Sequence, residues 1–547
     1  MGERIGWLMV VLVVFTSVAT CIIQSPAVYS DPGWGILASE QYLRGKSPNI
    51  LSITQASQSD LARDRTTRVS WYAPSYQAVP FLFRLVGLSW GSAVRATVML
   101  AWAVGMAGWG RYLRMVSSGV HDSWLVCLFL LFHYSNSNFY IYDGGELLLW
   151  GVFPHILLLN VWALRCGLKV AAPGAFAAGA GSALTFIVKY SALLPVVGIA
   201  VAWLYLTVTA RVTWTRSTSW FAGLAIAGVC LLAAGFPGGP TPTGGTGWQV
   251  SPSVLLPLVN WILAMTDLDS FLRWLFLFPG KRVLGDARGL GWIALVLTGA
   301  LFAVFVTSKK AGPAPGDVRC IEGRVGSARD VASLAMAVAI TTPIILGVLY
   351  ARSAPIDLQA RHLRVPALLV LPFVWRMLWG AVNESGRTRR GLACVLLVTL
   401  FLLPGVYGAG ALVDKGWFRA GRGSSLVGPQ GLRLDVLGPG ASAKAVYEEM
   451  KKLNRDGDVL LYLTSPDLGV SVADKRLLLS HADFETPEEL GAVQYHGKPP
   501  AGVMLLLPAR FEVNDKARMI RESFLDIRFW RRVQLEAAPS WNVYLGL

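Results

Sequence analysis

The sequence predicts an all-α, multi-spanning membrane domain followed by a small α/β domain outside the membrane. Three observations carry this. Hydrophobic residues make up 54% of 547 and charged residues 15%, with mean hydropathy +0.49. A water-soluble chain of this size needs more polar surface to cover its core, so apolar faces must meet lipid. Apolar runs of roughly 20 residues, the length of a bilayer-crossing helix, recur through residues 1–411. Residues 412–547 then return to ordinary soluble composition.

On the length criterion about eleven spans are expected, near 5–23, 91–110, 123–139, 146–164, 172–188, 190–209, 218–236, 290–307, 331–350, 365–382 and 391–411. The first has no small-residue cleavage pattern before Asp31 and precedes many further spans, so it reads as an uncleaved helix. Only Lys189 separates the fifth from the sixth, where a re-entrant pair fits as well as two spans. Lys and Arg in short loops set the orientation. With the N-terminus cytoplasmic, the inner connections hold Arg111 and Arg114, Arg165 and Lys169, Arg211 and Arg216, the basic stretch from Lys309 to Arg329, and Arg387, Arg389 and Arg390. The opposite loop at 135–145 holds neither Lys nor Arg. An odd number of spans leaves 412–547 outside, as expected of a multi-pass protein of the cell membrane.

Two external loops and the tail are long. Residues 24–90 contain an amphipathic helix, Gly33 to Leu43, then a polar stretch of Ser, Thr and Arg. Residues 237–289 open on a non-helical glycine- and proline-rich stretch and continue into the apolar-aromatic run Val254 to Phe278, suited to the membrane interface. In the tail, Ala441 to Leu453 and Asn514 to Phe524 read as helices, and Val459 to Leu463 and Val503 to Leu507 as buried strands.

The charge of +16 does not indicate nucleic acid, because the basic residues lie mainly in short loops between apolar runs. The six cysteines form no CxxC pair and suggest neither a disulfide framework nor a zinc site. His133 and His155 have no ligand partner at metal spacing and read as packed in the bundle.

Ionisable groups at a membrane edge are costly, which makes them functional candidates. Asp31 stands just past the first span in SDPGWGILASEQYLRG. It fits a helix N-cap, with Pro32 suited to the first helical position, and equally a carboxylate aimed at a substrate. Asp143 and Glu146, in YDGGE, precede the fourth span, where they can cap it or share a functional face. Lys189, in LTFIVKYSALLPVV, is either a snorkelling helix-end lysine or an anion contact. Arg352, Arg361 and Arg364 form an arginine-bearing external loop, where a planar guanidinium suits a phosphate.

DPGWGILASEQYLRG followed by WYAPSYQAVPFLFRLVGLSWGSAVR resembles the first-loop signature of GT-C glycosyltransferases. These are polyprenyl-phosphate-sugar enzymes that include protein O-mannosyltransferases and lipid A aminoarabinose transferases. The likeness covers residues 1–210 in pattern, with Arg95 opening the second span. It implies a polyprenyl-phosphate-sugar donor, an extracytoplasmic acceptor (glycan, lipid or protein) and membrane lipid as partners. It implies Asp31 as catalytic base or acceptor-orienting carboxylate, and Asp143 and Glu146 as positioning acceptor or metal. Lys189, Arg361 and Arg352 would meet the donor phosphate. The aminoarabinose transferase type carries a lysine before the proline-aromatic segment, where this chain has Trp71-Tyr72, and Arg65 or Arg68 would stand in for it. A divalent cation, Mg²⁺ or Mn²⁺, held by Asp31 and Asp143 is a further expectation. A lipid-linked oligosaccharide ligase or polymerase shares this topology, and a transporter or flippase is the alternative from another class, for which internal repeats are expected.

Overall fold

The computed structural model describes residues 2–69, 72–116, 122–236, 256–277, 287–307, 322–352, 362–383, 386–414, 426–437, 441–452, 459–479, 502–513, 515–533 and 541–546.

Helix α1 (Gly2–Ile23) leads into a short strand β1 (Ala27–Val28), helix α2 (Ser30–Leu43) and a hairpin of β2 (Ser52–Ser57) and β3 (Asp60–Arg68). Helices α3 (Ser75–Leu85) and α4 (Trp90–Val116) meet at a 117° bend. Gly87, at φ +93°, supplies the left-handed residue of that bend. Next come α5 (Asp122–Leu131), α6 (His133–Asn136), β4 (Ile141–Tyr142), α7 (Gly145–Arg165), α8 (Ala171–Val188), α9 (Leu193–Val208) and α10 (Trp214–Ala233). The chain continues through α11 (Leu256–Met265), α12 (Leu268–Leu277), α13 (Ala287–Val306), α14 (Glu322–Ala351), α15 (Arg364–Leu368), α16 (Leu371–Asn383), α17 (Arg387–Leu397) and α18 (Leu403–Val413). The tail holds α19 (Ala441–Lys451), β5 (Val459–Leu463), α20 (Pro466–Ser471), β6 (Arg476–Leu479), β7 (Gly502–Pro508), α21 (Arg510–Val513), α22 (Lys516–Ser523), β8 (Trp530–Val533) and β9 (Trp541–Gly546).

Among the described residues eight helices are long and apolar enough to cross a membrane, or nine if α3 and α4 form one bent span. Of the eleven expected segments, that at 91–110 passes only together with α3, and two others fall short of that test. The segment at 290–307 is a shorter apolar helix, and that at 123–139 breaks after Leu131. The break has a local cause. Ser and Asn at 135–138 offer the backbone competing hydrogen bonds, and the Asn136 amide donates to the carbonyls of Leu131 and Gly408 at 3.3 and 3.1 Å. The pair flanking Lys189 forms two separate candidate spans, Leu168–Val188 and Tyr190–Val208.

The chain divides into two compact units that are not contiguous in sequence. The first comprises residues 1–19, 100–138 and 145–413 and is helical. Its helices pack through small residues, as membrane helices do. A Cβ on Gly179 (α8) would lie 2.0 Å from the Trp220 carbonyl oxygen, and one on Gly223 (α10) 2.1 Å from that of Phe176. Buried Asn160 accepts from the indoles of Trp203 at 2.9 Å and Trp220 at 2.8 Å and donates to Ser182, tying α7 to α8, α9 and α10. His155 contacts the Val104 carbonyl at 2.8 Å, a packed histidine.

The second unit comprises residues 20–99, 139–144 and 414–547. Its five-stranded sheet runs β6-β5-β7-β9-β8, with β5 parallel to both β6 and β7 and β9 antiparallel to both β7 and β8. The polar stretch after α2 forms the β2–β3 hairpin, whose Ala56 and Leu61 join the core of the sheet beside Leu460, Leu478 and Leu505. Gln55 accepts from the Leu479 N–H at 2.8 Å. The first loop and the tail therefore share one core.

Candidate functional site

Strands β1 and β4 pair in parallel, Ala27 opposite Ile141 and Val28 opposite Tyr142. The Tyr29 N–H donates to the Tyr142 carbonyl at 3.0 Å. Two short strands from segments more than a hundred residues apart thus end together. Asp31 follows β1 by three positions and Asp143 follows β4 by one, so the DPGWG helix start and the YDGGE turn leave the same end of one ladder. The N-cap of α2 is Tyr29, with no side-chain cap bond, and Asp31 lies inside the first turn. Capping is therefore not the work of this carboxylate. Asp31 is partly exposed, and the neighbouring Ser30 hydroxyl donates to it at 3.4 Å.

The proline-aromatic segment joins the same neighbourhood. The Tyr142 hydroxyl donates to the Tyr76 carbonyl at 3.0 Å, and Tyr72 stacks on Tyr76 with ring centroids 5.8 Å apart. Gly144, at φ +78°, lets the turn pass the Tyr76 ring, where a Cβ would meet ring carbon at 2.7 Å. Arg95 donates to the Gln24 carbonyl at 2.9 Å and so holds the approach to β1. The Asp31 segment, the Asp143 turn and the proline-aromatic segment thus meet here. Trp71 lies outside the described residues.

In the helical unit, Glu146 sits in the first turn of α7 and forms an ion pair with Lys189. Lys189 is buried at the extended residue between α8 and the turn that opens α9. It is held by a carboxylate rather than snorkelling. Arg352 is exposed just past α14. Arg68 is exposed at the end of β3, opposite Ser52. Arg361 lies outside the described residues. Arg364, three positions on, donates to Asp267 at 3.2 Å.

Four carboxylates escaped the sequence reading, three of them buried and Asp467 half-buried. Asp267, left-handed at φ +58°, accepts from the Tyr134 N–H at 2.9 Å and the Ser270 hydroxyl at 2.8 Å as well as from Arg364. Asp269 is buried beside it; burial first, and then the Asp267 charge, push its carboxyl up to about 7. The signal was present, since two carboxylates inside the apolar run Val254 to Phe278 are expensive unless used. Glu40 is buried on α2 with four polar neighbours, described below. Asp467 stands at the start of α20, where its Cβ lies 3.3 Å from the position of a Cβ on Gly33.

Among the described residues no three His, Cys, Asp or Glu side chains stand together as a metal cage. Asp31 and Asp143 would offer carboxylate oxygens only, the donor type that Mg²⁺ and Mn²⁺ favour.

No family model matches the chain, and no curated protein matches it. Among solved structures, the crystal structure of ArnT from Cupriavidus metallidurans in the apo state matches with a TM-score of 0.53 and 14% sequence identity. The match covers 98% of this chain and 97% of that one. The chain thus shares the fold of ArnT over nearly its whole length, and its long apolar helices mark it as a membrane protein.

Proposed function

We propose that the protein is a glycosyltransferase that moves a sugar from a polyprenyl-phosphate carrier to an acceptor hydroxyl outside the cytoplasm. The observation that carries the reading is the β1–β4 ladder, from whose one end both the Asp31 and the Asp143 segments emerge. The Asp31 carboxylate takes the proton of the acceptor hydroxyl as its oxygen attacks the anomeric carbon. A new glycosidic C–O bond forms, the bond from that carbon to the phosphate oxygen breaks, and polyprenyl phosphate leaves with the electron pair. Attack opposite the leaving group inverts the anomeric configuration.

Asp143 or Glu146 orients the acceptor. Lys189 and Arg361, with Arg352 and Arg68 as further cations, offset the charge that develops on the phosphate. An ammonium has three donors, so the bond from Lys189 to Glu146 leaves it capacity for a phosphate oxygen. If Mg²⁺ or Mn²⁺ takes part, chelation will stop transfer and added cation will restore it.

The deciding experiment follows transfer from labelled polyprenyl-phosphate sugars in purified membranes. Asp31→Asn should lose at least ~100-fold in turnover, the low end for a general base. Undiminished transfer by the variant would remove Asp31 from the mechanism. Release of a polyprenyl diphosphate by the wild type would replace this reading with that of a lipid-linked saccharide ligase.

A further inference from the structure

Helix α2 carries Asp31 at its N-terminal end and is docked along one face onto the C-terminal segment. The docked positions are 33, 37 and 40, spaced four and three apart, which share a helix face. A Cβ on Gly33 would lie 3.1 Å from the Asp467 backbone nitrogen. One on Gly469 would meet Leu37 at 2.8 Å. Glu40 accepts from the Gln430 side-chain amide at 3.0 Å. Asp31, two positions from Gly33, is off this stripe, since residues two apart do not face each other.

Glu40 is the polar centre of the docking. Its side chain is 2% exposed. One oxygen accepts from Arg44 at 2.8 Å and from Gln430, the other from the indole of fully buried Trp90 at 2.7 Å, and Arg84 stands 3.8 Å away. These partners come from the residue that ends α2, from α3, from the first residue of α4 and from the segment following the last span. Gln430 is delivered by a backbone contact that allows no side chain. The Gly91 N–H donates to the Gln430 carbonyl at 2.8 Å, and a Cβ on Gly91 would sit 2.1 Å from the Gly431 carbonyl oxygen. A buried carboxylate is costly unless such donors surround it, and α2 spends this one on its far end, nine positions beyond Asp31.

We infer that Glu40 is a positioning residue for the Asp31 base: through Trp90 and Gln430 it locks α2 to the C-terminal segment, so that segment sets where the base points. The inference rests on the transfer reading above. A general base acts only within hydrogen-bond reach of the proton it takes, and a displacement of about 1 Å can cost about 100-fold in rate. Glu40→Gln keeps the shape and removes the charge that orders three donors and faces Arg84, and Trp90→Phe removes one donor without changing a residue of α2.

The test combines turnover, donor KM, thermal unfolding and hydrogen exchange on the full-length protein in lipid nanodiscs, with a labelled polyprenyl-phosphate sugar as donor. Glu40→Gln should lower kcat about tenfold with donor KM within twofold, and residues 30–43 should exchange faster. Trp90→Phe should do the same. The double variant should be no worse than the poorer single variant, because both break one network. Unchanged kcat in a folded Glu40→Gln protein, additive losses, or a loss that only tracks the fraction unfolded would each overturn the inference. Absence of transfer by the wild type would instead sink the transfer reading and the positioning role of Glu40 with it. The exchange data would then show separately whether the lock on α2 exists.

Discussion

At the scale of single residues, the protein places its carboxylates in contrasting surroundings. Asp31 stays partly exposed, Glu146 is neutralised by Lys189, and Glu40 is enclosed by donors. Asp467 is a different case. Burial pushes its carboxyl up to about 6, against the opposing pull of the Ser465 hydroxyl and two backbone N–H groups. A carboxyl whose pKa is higher folded than unfolded binds its proton more tightly in the folded state. Folded stability therefore falls as pH rises past the ordinary value of 3.8, and the loss is complete above about 6. Asp467→Asn is neutral at every pH, so it should unfold at a higher temperature than wild type at pH 8, and the two should converge towards pH 4. A gap independent of pH would show that ionisation of Asp467 is not what costs stability. Of these carboxylates only Asp31, Asp143 and Glu146 drew attention from the sequence, because they flank spans. Glu40 lies in an ordinary helical pattern, and nothing local marks its partners at 90 and 430.

At the scale of elements, backbone-to-backbone contacts set which helices can pair. Gly179 and Gly223 face each other's helix so closely that an added methyl group would overlap a carbonyl oxygen. Gly223→Ala should therefore lower the thermal midpoint in detergent by an amount equivalent to about 1–3 kcal/mol, the usual cost of overpacking. Gly228→Ala, on the same helix with open space around it, is the control and should be neutral or slightly stabilising. Equal effects at both sites would show that helix propensity decides, not packing. The helices themselves were legible from apolar runs, as were the tail elements Val459–Leu463 and Gly502–Pro508. The β2–β3 hairpin was not, because its strands are polar on their exposed face and gain their place from the sheet beside them.

At the scale of the molecule, the first loop and the tail form one unit although the helical region separates them in sequence. Truncation after Val413 would remove β6 from beside the hairpin, α20 from beside α2 and Gln430 from Glu40. Residues 24–90 should then become susceptible to protease in intact membranes, while the spanning helices stay protected. Continued protection of that loop would mean that it folds without the tail.

What the sequence determined by itself is whatever depends on local composition and period: the membrane class, the segments that turn helical, the sites where charge meets an apolar run, and a first-loop pattern that resembles that of GT-C enzymes. What only the tertiary structure decided is partnership. β1 pairs with β4, Lys189 with Glu146, Glu40 with Trp90 and Gln430, and the hairpin with β6. The physical reason is that hydropathy is a property of neighbours in the chain. Hydrogen-bond register and burial of charge are properties of neighbours in space, and two-residue strands such as β1 and β4 have no periodicity from which a partner could be read.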